Sequence, residues 1–232
     1  MELSTTTALV TGANRGFGRA LAAELLARGA TVHAAARNPG SVDLPGAVPI
    51  RLDVTDPASI AAAAAATGDV TLLVNNAGVD SRTDLLGGDL ADVRAELDVN
   101  YLGPLAVTRA FLPQLERAGG AVVNVLSVLS WISFPGTGAY CAAKSAAWSM
   151  TNALRAELAP RGVRVAGLHV GYMDTGMTAG VEAPKSDPAD IARIAVDAIA
   201  AGEPEIVADE ISRSVLARLS GGVPALYPAT AR

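Results

Sequence analysis

The stretch Thr6-Thr7-Ala8-Leu9-Val10-Thr11 runs without a break into Gly12-Ala13-Asn14-Arg15-Gly16-Phe17-Gly18. The first half reads as a strand, and an apolar helical pattern, Gly16–Arg28, opens inside the second half. A strand that turns this tightly into a helix needs glycine, for backbone freedom and for close approach of a ligand to the main chain. The helix start presents free N–H groups and the positive end of its dipole, a setting suited to a pyrophosphate. The spacing is G-x-x-x-G-x-G, a variant of the commoner G-x-G-x-x-G dinucleotide signal. Gly12, Asn14, Arg15, Gly16, Phe17 and Gly18 are therefore the expected cofactor contacts of this turn.

The same strand-to-helix rhythm continues along the chain. Strands are expected at Thr6–Thr11, Thr31–Ala35, Val48–Leu52, Thr71–Val74, Ala121–Leu126, Val163–His169 and Glu205–Val207. Helices are expected at Gly16–Arg28, Pro57–Ala66, Leu90–Arg117, Ala139–Ala159, Pro188–Ala201 and Asp209–Leu219. Several strands are apolar on both faces, as parallel strands covered by helices are. Asp56-Pro57 and Asp187-Pro188 each place an N-cap before a proline at the first helical position. Gly29 and Gly162 sit where left-handed C-caps are wanted. The expectation is one α/β domain over residues 1–232: a doubly wound Rossmann fold with seven mostly parallel strands, helices on both faces and a crevice at the strand C-termini.

Composition narrows the function classes. The formal net charge is -5, and the 18 Lys and Arg residues are scattered, which argues against a nucleic-acid partner. The single cysteine, Cys141, offers neither a disulfide framework nor a Cys-x-x-Cys metal site, so no metal centre is expected. No signal peptide or membrane-spanning run is read, and a cytoplasmic location without membrane association is expected.

The end of the second strand discriminates between nicotinamide cofactors. An acidic residue there binds the ribose hydroxyls of NAD, whereas arginine suits a 2′-phosphate. The chain reads Ala34-Ala35-Ala36-Arg37, with Arg15 able to add a second cation from the glycine turn. The planar guanidinium fork matches phosphate oxygens, so NADP(H) is the expected cofactor and Arg37 its marker.

Tyr140 and Lys144 stand four apart, on one face of the helix and roughly 6 Å apart along its axis. A phenol is a poor base at neutral pH, and a neighbouring ammonium is expected to lower its pKa. Ser127 ends the fifth strand, where its hydroxyl can meet a substrate carbonyl in the crevice.

With the T-G-x-x-x-G-x-G turn, Asn75-Asn76-Ala77-Gly78 after the fourth strand, Asn100, and Ser127 thirteen residues before Tyr140, the chain resembles the short-chain dehydrogenase/reductase family over nearly its whole length. The resemblance implies a catalytic tetrad of Asn100, Ser127, Tyr140 and Lys144. Tyr140 would exchange the proton with the carbonyl or hydroxyl oxygen, and Ser127 would steady that oxygen. Lys144 would also hold the nicotinamide ribose, with Asn100 helping to hold a relay water. It further implies adenine contact at Asp53, beside Val54, an adenosine wall of Asn76, Ala77 and Gly78, and nicotinamide contacts at Gly171, Met173 and Thr175. Val170 stands where the family usually has proline, which is expected to loosen the loop. The family is commonly dimeric or tetrameric through its two long helices, here Leu90–Arg117 and Ala139–Ala159.

Trp131 and Phe134, between Ser127 and Tyr140, are expected to border the substrate, with Met177 in the covering segment. His33 and His169 are expected to be core or strand-end residues, and Cys141 a packing residue. These readings imply hydride transfer between NADP(H) and a small carbonyl or alcohol. The competing readings are a nucleotide-sensing module without turnover and a sugar-nucleotide epimerase.

Overall fold

The computed structural model describes residues 1–228. Seven strands, β1 (Thr7–Thr11), β2 (Thr31–Ala36), β3 (Val48–Arg51), β4 (Leu72–Asn75), β5 (Ala121–Val125), β6 (Arg164–His169) and β7 (Glu205–Val207), form one sheet in the order β3-β2-β1-β4-β5-β6-β7. Every neighbouring pair is parallel. The chain order reverses between β1 and β4, so the crevice of a doubly wound sheet opens at the C-terminal ends of these two strands.

Period-two alternation assigns the two faces. Val10, Val32, Val74 and Val123 point into one buried layer with Phe17, Leu21 and Leu25 of α1 (Gly16–Ala27). Ile191, Ala195 and Ile199 of the helix Pro188–Ala201 complete that layer. Leu9, Leu73, Val122 and Val165 point the other way, onto α2 (Pro57–Thr67), the helix Gly103–Ala118 and the helix Gly138–Leu158. Among the described residues no helix is long and apolar enough to cross a membrane.

The expected helix Leu90–Arg117 is not continuous. It divides into α3 (Leu90–Leu97), a π-helical turn over Asp98–Leu102 and α4 (Gly103–Ala118). The Gly103 N–H donates to the Asp98 carbonyl, five residues back. Pro104 has no N–H, so the α-helical bond to the Asn100 carbonyl cannot form. A proline at this point therefore denies the Asn100 carbonyl its α-helical donor. The remaining helices are α5 (Gly138–Leu158), α6 (Pro188–Ala201), α7 (Glu210–Arg218) and α8 (Gly222–Leu226).

A buried polar chain ties α4 and α5 to the middle of the sheet. Asn75 Nδ2 donates to Asn124 Oδ1 at 2.9 Å and to Thr108 Oγ1 at 3.0 Å. Asn124 Nδ2 in turn donates to Thr151 Oγ1 at 2.9 Å. Such bonds are short of water and fix one register for the helices that carry the site.

Phe111 of α4 is fully buried in the layer formed with α2 and α5. Phe111→Ala is predicted to lower unfolding stability by about 3–5 kcal/mol. Urea unfolding measures this, and an unchanged midpoint would contradict the packing described.

Candidate active site

The glycine turn is held from behind by the end of β4. Thr11 Oγ1 accepts from the N–H groups of Asn76 and Ala77, both at 2.9 Å, and Asn76 Nδ2 donates to the Thr11 carbonyl at 2.9 Å. A Cβ on Gly18 would lie 2.3 Å from Asn76 Nδ2 and 2.4 Å from the Gly12 carbonyl oxygen, so only glycine fits there. Gly12 and Gly16 have φ of +67° and +54°, in the left-handed region. The α1 N-cap, Arg15, makes no side-chain capping bond, which leaves the first N–H groups of the helix to a ligand. Phe17 packs its ring into the core, so any contact it makes with a cofactor is through its backbone.

The second half of the cradle lies beyond β2, where buried Ala36 is followed by exposed Arg37. Asn14 Nδ2 donates to Ser41 Oγ at 3.1 Å, drawing the loop after β2 toward the glycine turn. Ser41 belongs to no sequence motif; only the fold brings it to Asn14. Asp53 Oδ1 accepts from Thr55 N at 3.0 Å and from Thr55 Oγ1 at 2.7 Å. These bonds to Thr55, aided by Arg37 and Arg51, hold its carboxyl below the usual carboxylate range. Val54 is buried, and a Cβ on Gly103 would meet its Cγ2 at 2.9 Å. It is thus packed against α4, which makes its expected cofactor contact a backbone one.

The four tetrad positions converge. Asn100 sits in the π-helical turn, Ser127 follows β5, and Tyr140 and Lys144 occupy the first turns of α5. A Cβ on Gly78 would lie 2.9 Å from Asn100 Oδ1 and 3.9 Å from Lys144 Nζ, so Gly78 marks where these two residues meet. Lys144 Nζ donates to the Val125 carbonyl at 2.9 Å and lies 5.6 Å from the centre of the Tyr140 ring. Ser127 N donates to Ser130 Oγ at 3.2 Å and Ser127 Oγ accepts from Leu129 N at 3.1 Å, a capping box that fixes the serine after its strand. The Asn100 amide is fully engaged: Nδ2 donates to Val79 O at 2.8 Å, Glu96 O at 3.0 Å and Glu96 Oε2 at 3.1 Å, while Oδ1 accepts from Val79 N at 3.2 Å.

The electrostatics correct one expectation. Burial raises the Tyr140 phenol, with Asp80 and Glu96 adding to the rise and a hydrogen bond with Ser127 opposing it. Burial also lowers Lys144, to about 8, against the opposing pull of Glu96. Desolvation thus outweighs the ammonium effect read from the four-residue spacing, and the phenol is held in its protonated form.

The loop after β6 closes the crevice. Gly171 N donates to Asp209 Oδ2, and Val128 N donates to the Val170 carbonyl at 3.0 Å. These bonds tie the strand end at Val170 and Gly171 to Asp209 and to the turn after Ser127. Met173 pairs with Ser186 across the loop base, and Thr175 Cγ2 approaches within 3.5 Å of where a Gly16 Cβ would be. Met177 and Phe134 are exposed on the loops that rim the C-terminal end of the sheet. Trp131 is not on that rim. The 3-10 turn Val128–Ser130 sends it inward, where it stacks on His169 at 3.8 Å between ring centres and is only 8% exposed. His169 is itself a core residue, with Nδ1 3.2 Å from the Ser127 carbonyl and Nε2 2.7 Å from Glu205 Oε1. Cys141 is buried packing, as expected. Arg82, which no motif marks, has a left-handed backbone and lies over Gly180, joining the loop after β4 to the loop after β6.

Residues 6–186 match the family model described as short chain dehydrogenase. A crystal structure of a short chain dehydrogenase from Burkholderia cenocepacia in complex with NADP superposes over all of both chains, with a TM-score of 0.95 and 36% identity. The chain is 36% identical over 176 residues to the NADPH-dependent 1-acyldihydroxyacetone phosphate reductase of Schizosaccharomyces pombe, covering 72% of this chain and 60% of the relative. It is 39% identical over 184 residues to mouse retinol dehydrogenase 5, covering 73% of this chain and 57% of the relative. The matches therefore span about three-fifths of the length of these relatives. With an all-parallel seven-stranded sheet, a glycine turn after its first strand and a family model matching residues 6–186, this chain belongs to the short-chain dehydrogenase/reductase family of oxidoreductases.

Proposed function

We propose that this protein is an NADP(H)-dependent oxidoreductase that acts on a small apolar aldehyde, ketone or secondary alcohol, with Tyr140 as its acid/base. The observation that carries the reading is the meeting of Asn100, Ser127, Tyr140 and Lys144 beside a glycine cradle whose second strand ends in Arg37. The NADP complex of the Burkholderia cenocepacia protein and the NADPH dependence of the fission-yeast reductase support the cofactor choice.

The bound nicotinamide supplies or takes up the hydride. The N–H groups at the start of α1 would hold the pyrophosphate, Arg37 the 2′-phosphate, and Lys144 the nicotinamide ribose. Ser127 orients the substrate oxygen toward Tyr140, and the raised phenol pKa makes Tyr140 a proton donor to that oxygen at neutral pH. In the opposite direction Tyr140 must first lose its proton. Lys144, lowered to about 8, offers that proton a route out of the buried site. Phe134 and Met177 give the substrate an apolar, adaptable rim.

Three outcomes follow from this reading. Tyr140→Phe is predicted to keep NADPH binding while turnover falls by about 10²–10⁴-fold; wild-type turnover in that variant would sink the mechanism. Arg37→Asp is predicted to weaken NADPH roughly 10–100-fold and to improve NADH, and titration of both cofactors would show it; an unchanged ratio refutes the role of Arg37. Because the phenol is raised, carbonyl reduction should persist through neutral pH and fall in alkali, whereas alcohol oxidation should climb as pH rises. Rate profiles in both directions test this, and an oxidation rate that falls from pH 7 to 9 contradicts it.

A further inference from the structure

One buried carboxylate near the tetrad has no part in the proton exchange just described. Glu96, in the last turn of α3, has no accessible surface. Its Oε1 accepts from Ser81 N and Ser81 Oγ, both at 2.7 Å, and its Oε2 accepts from Asn100 Nδ2 at 3.1 Å. Ser81 Oγ also lies 2.7 Å from Thr83 Oγ1, and the Thr83 carbonyl accepts from the N–H of Ala139, the residue before Tyr140, at 3.5 Å. A continuous set of hydrogen bonds thus runs from Asn100 through Glu96, Ser81 and Thr83 to the start of α5.

From this geometry we infer that Glu96 is a positioning residue that locks Asn100 to the loop after β4 and, through Thr83, to the helix start that carries Tyr140. The inference rests on the tetrad reading proposed above. Its force comes from donor and acceptor arithmetic. All three groups on the carboxylate donate, and an ionised carboxylate only accepts, so every bond is satisfied. A glutamine of the same size cannot satisfy both sides. If its oxygen stays on Ser81, its amide NH₂ faces the NH₂ of Asn100. Turning the Asn100 amide to relieve that clash would break its bonds to Val79 on both atoms. A buried carboxylate is costly unless so paired, and burial is the main cause that raises Glu96, opposed by the bonds from Ser81. The ionisable groups acting on it are Asp80 of the same loop and Lys144 of α5, and Tyr140 is affected in turn by both Asp80 and Glu96.

The test is Glu96→Gln, assayed for turnover, cofactor affinity and pH dependence of alcohol oxidation. Turnover is expected to fall roughly tenfold or more, since a buried group is left unpaired, with NADPH affinity changed less than about twofold because the cradle residues are untouched. Glu96 raises both Tyr140 and Lys144, so losing its charge should move the rising limb of oxidation to lower pH. A purely structural role would not move that limb. If Glu96→Gln does not fold, Ser81→Ala decides: it deletes one donor on an accessible loop and should lower turnover severalfold. Wild-type turnover and an unmoved limb in Glu96→Gln, or wild-type turnover in Ser81→Ala, overturn the inference. Tyr140→Phe in the same assay separates the two claims. An active Tyr140→Phe defeats the tetrad reading, whereas an inactive one beside a wild-type-like Glu96→Gln defeats only the role of Glu96.

Discussion

The contact on which the site depends is the one between the turn after β1 and the segment after β4. Thr11 receives two N–H groups from Asn76 and Ala77, and the missing side chain of Gly18 leaves room for the Asn76 amide. That single close approach sets the depth of the nucleotide cradle. It also fixes Gly78, two residues after Asn76, against Asn100 and Lys144. The glycine turn and the meeting point of Asn100 and Lys144 therefore lie on two sides of one strand end. A side chain at position 18 would disturb both, because it would push the β4 segment away from β1.

Much of this was legible in the chain because the signals are local. A glycine turn follows its strand directly, Asp-Pro pairs start helices, and Tyr140 and Lys144 share a helix face through a spacing of four. Each needs only neighbouring residues to be read. Arg37 is readable as a candidate for the same reason, since it follows the end of β2 immediately.

What escaped was set by partners far along the chain. Glu96 reads as an ordinary helical glutamate until the fold brings Ser81 to it from fifteen residues away. Asp209 stands thirty-eight residues from the Gly171 N–H that it accepts, a partner no local pattern reveals. Trp131 was placed on the substrate rim because its segment borders the crevice, but stacking on His169 buried it instead. The break in the helix Leu90–Arg117 has a visible signal in Gly103-Pro104, and its π-helical form shows only in three dimensions. The direction of the Tyr140 shift is not legible in the sequence, because spacing reveals the neighbouring charge and says nothing of desolvation.

The central claim is that the tetrad and the Arg37-marked cradle work as one hydride-transfer site and not as a nucleotide sensor. The most direct measurement follows NADPH loss and alcohol formation together while the protein is offered a panel of aldehydes and ketones. At least one apolar carbonyl is expected to be converted stoichiometrically, with a slower rate when the transferred hydrogen of NADPH is deuterium. Saturable NADPH binding with no carbonyl consumed anywhere in the panel would contradict it.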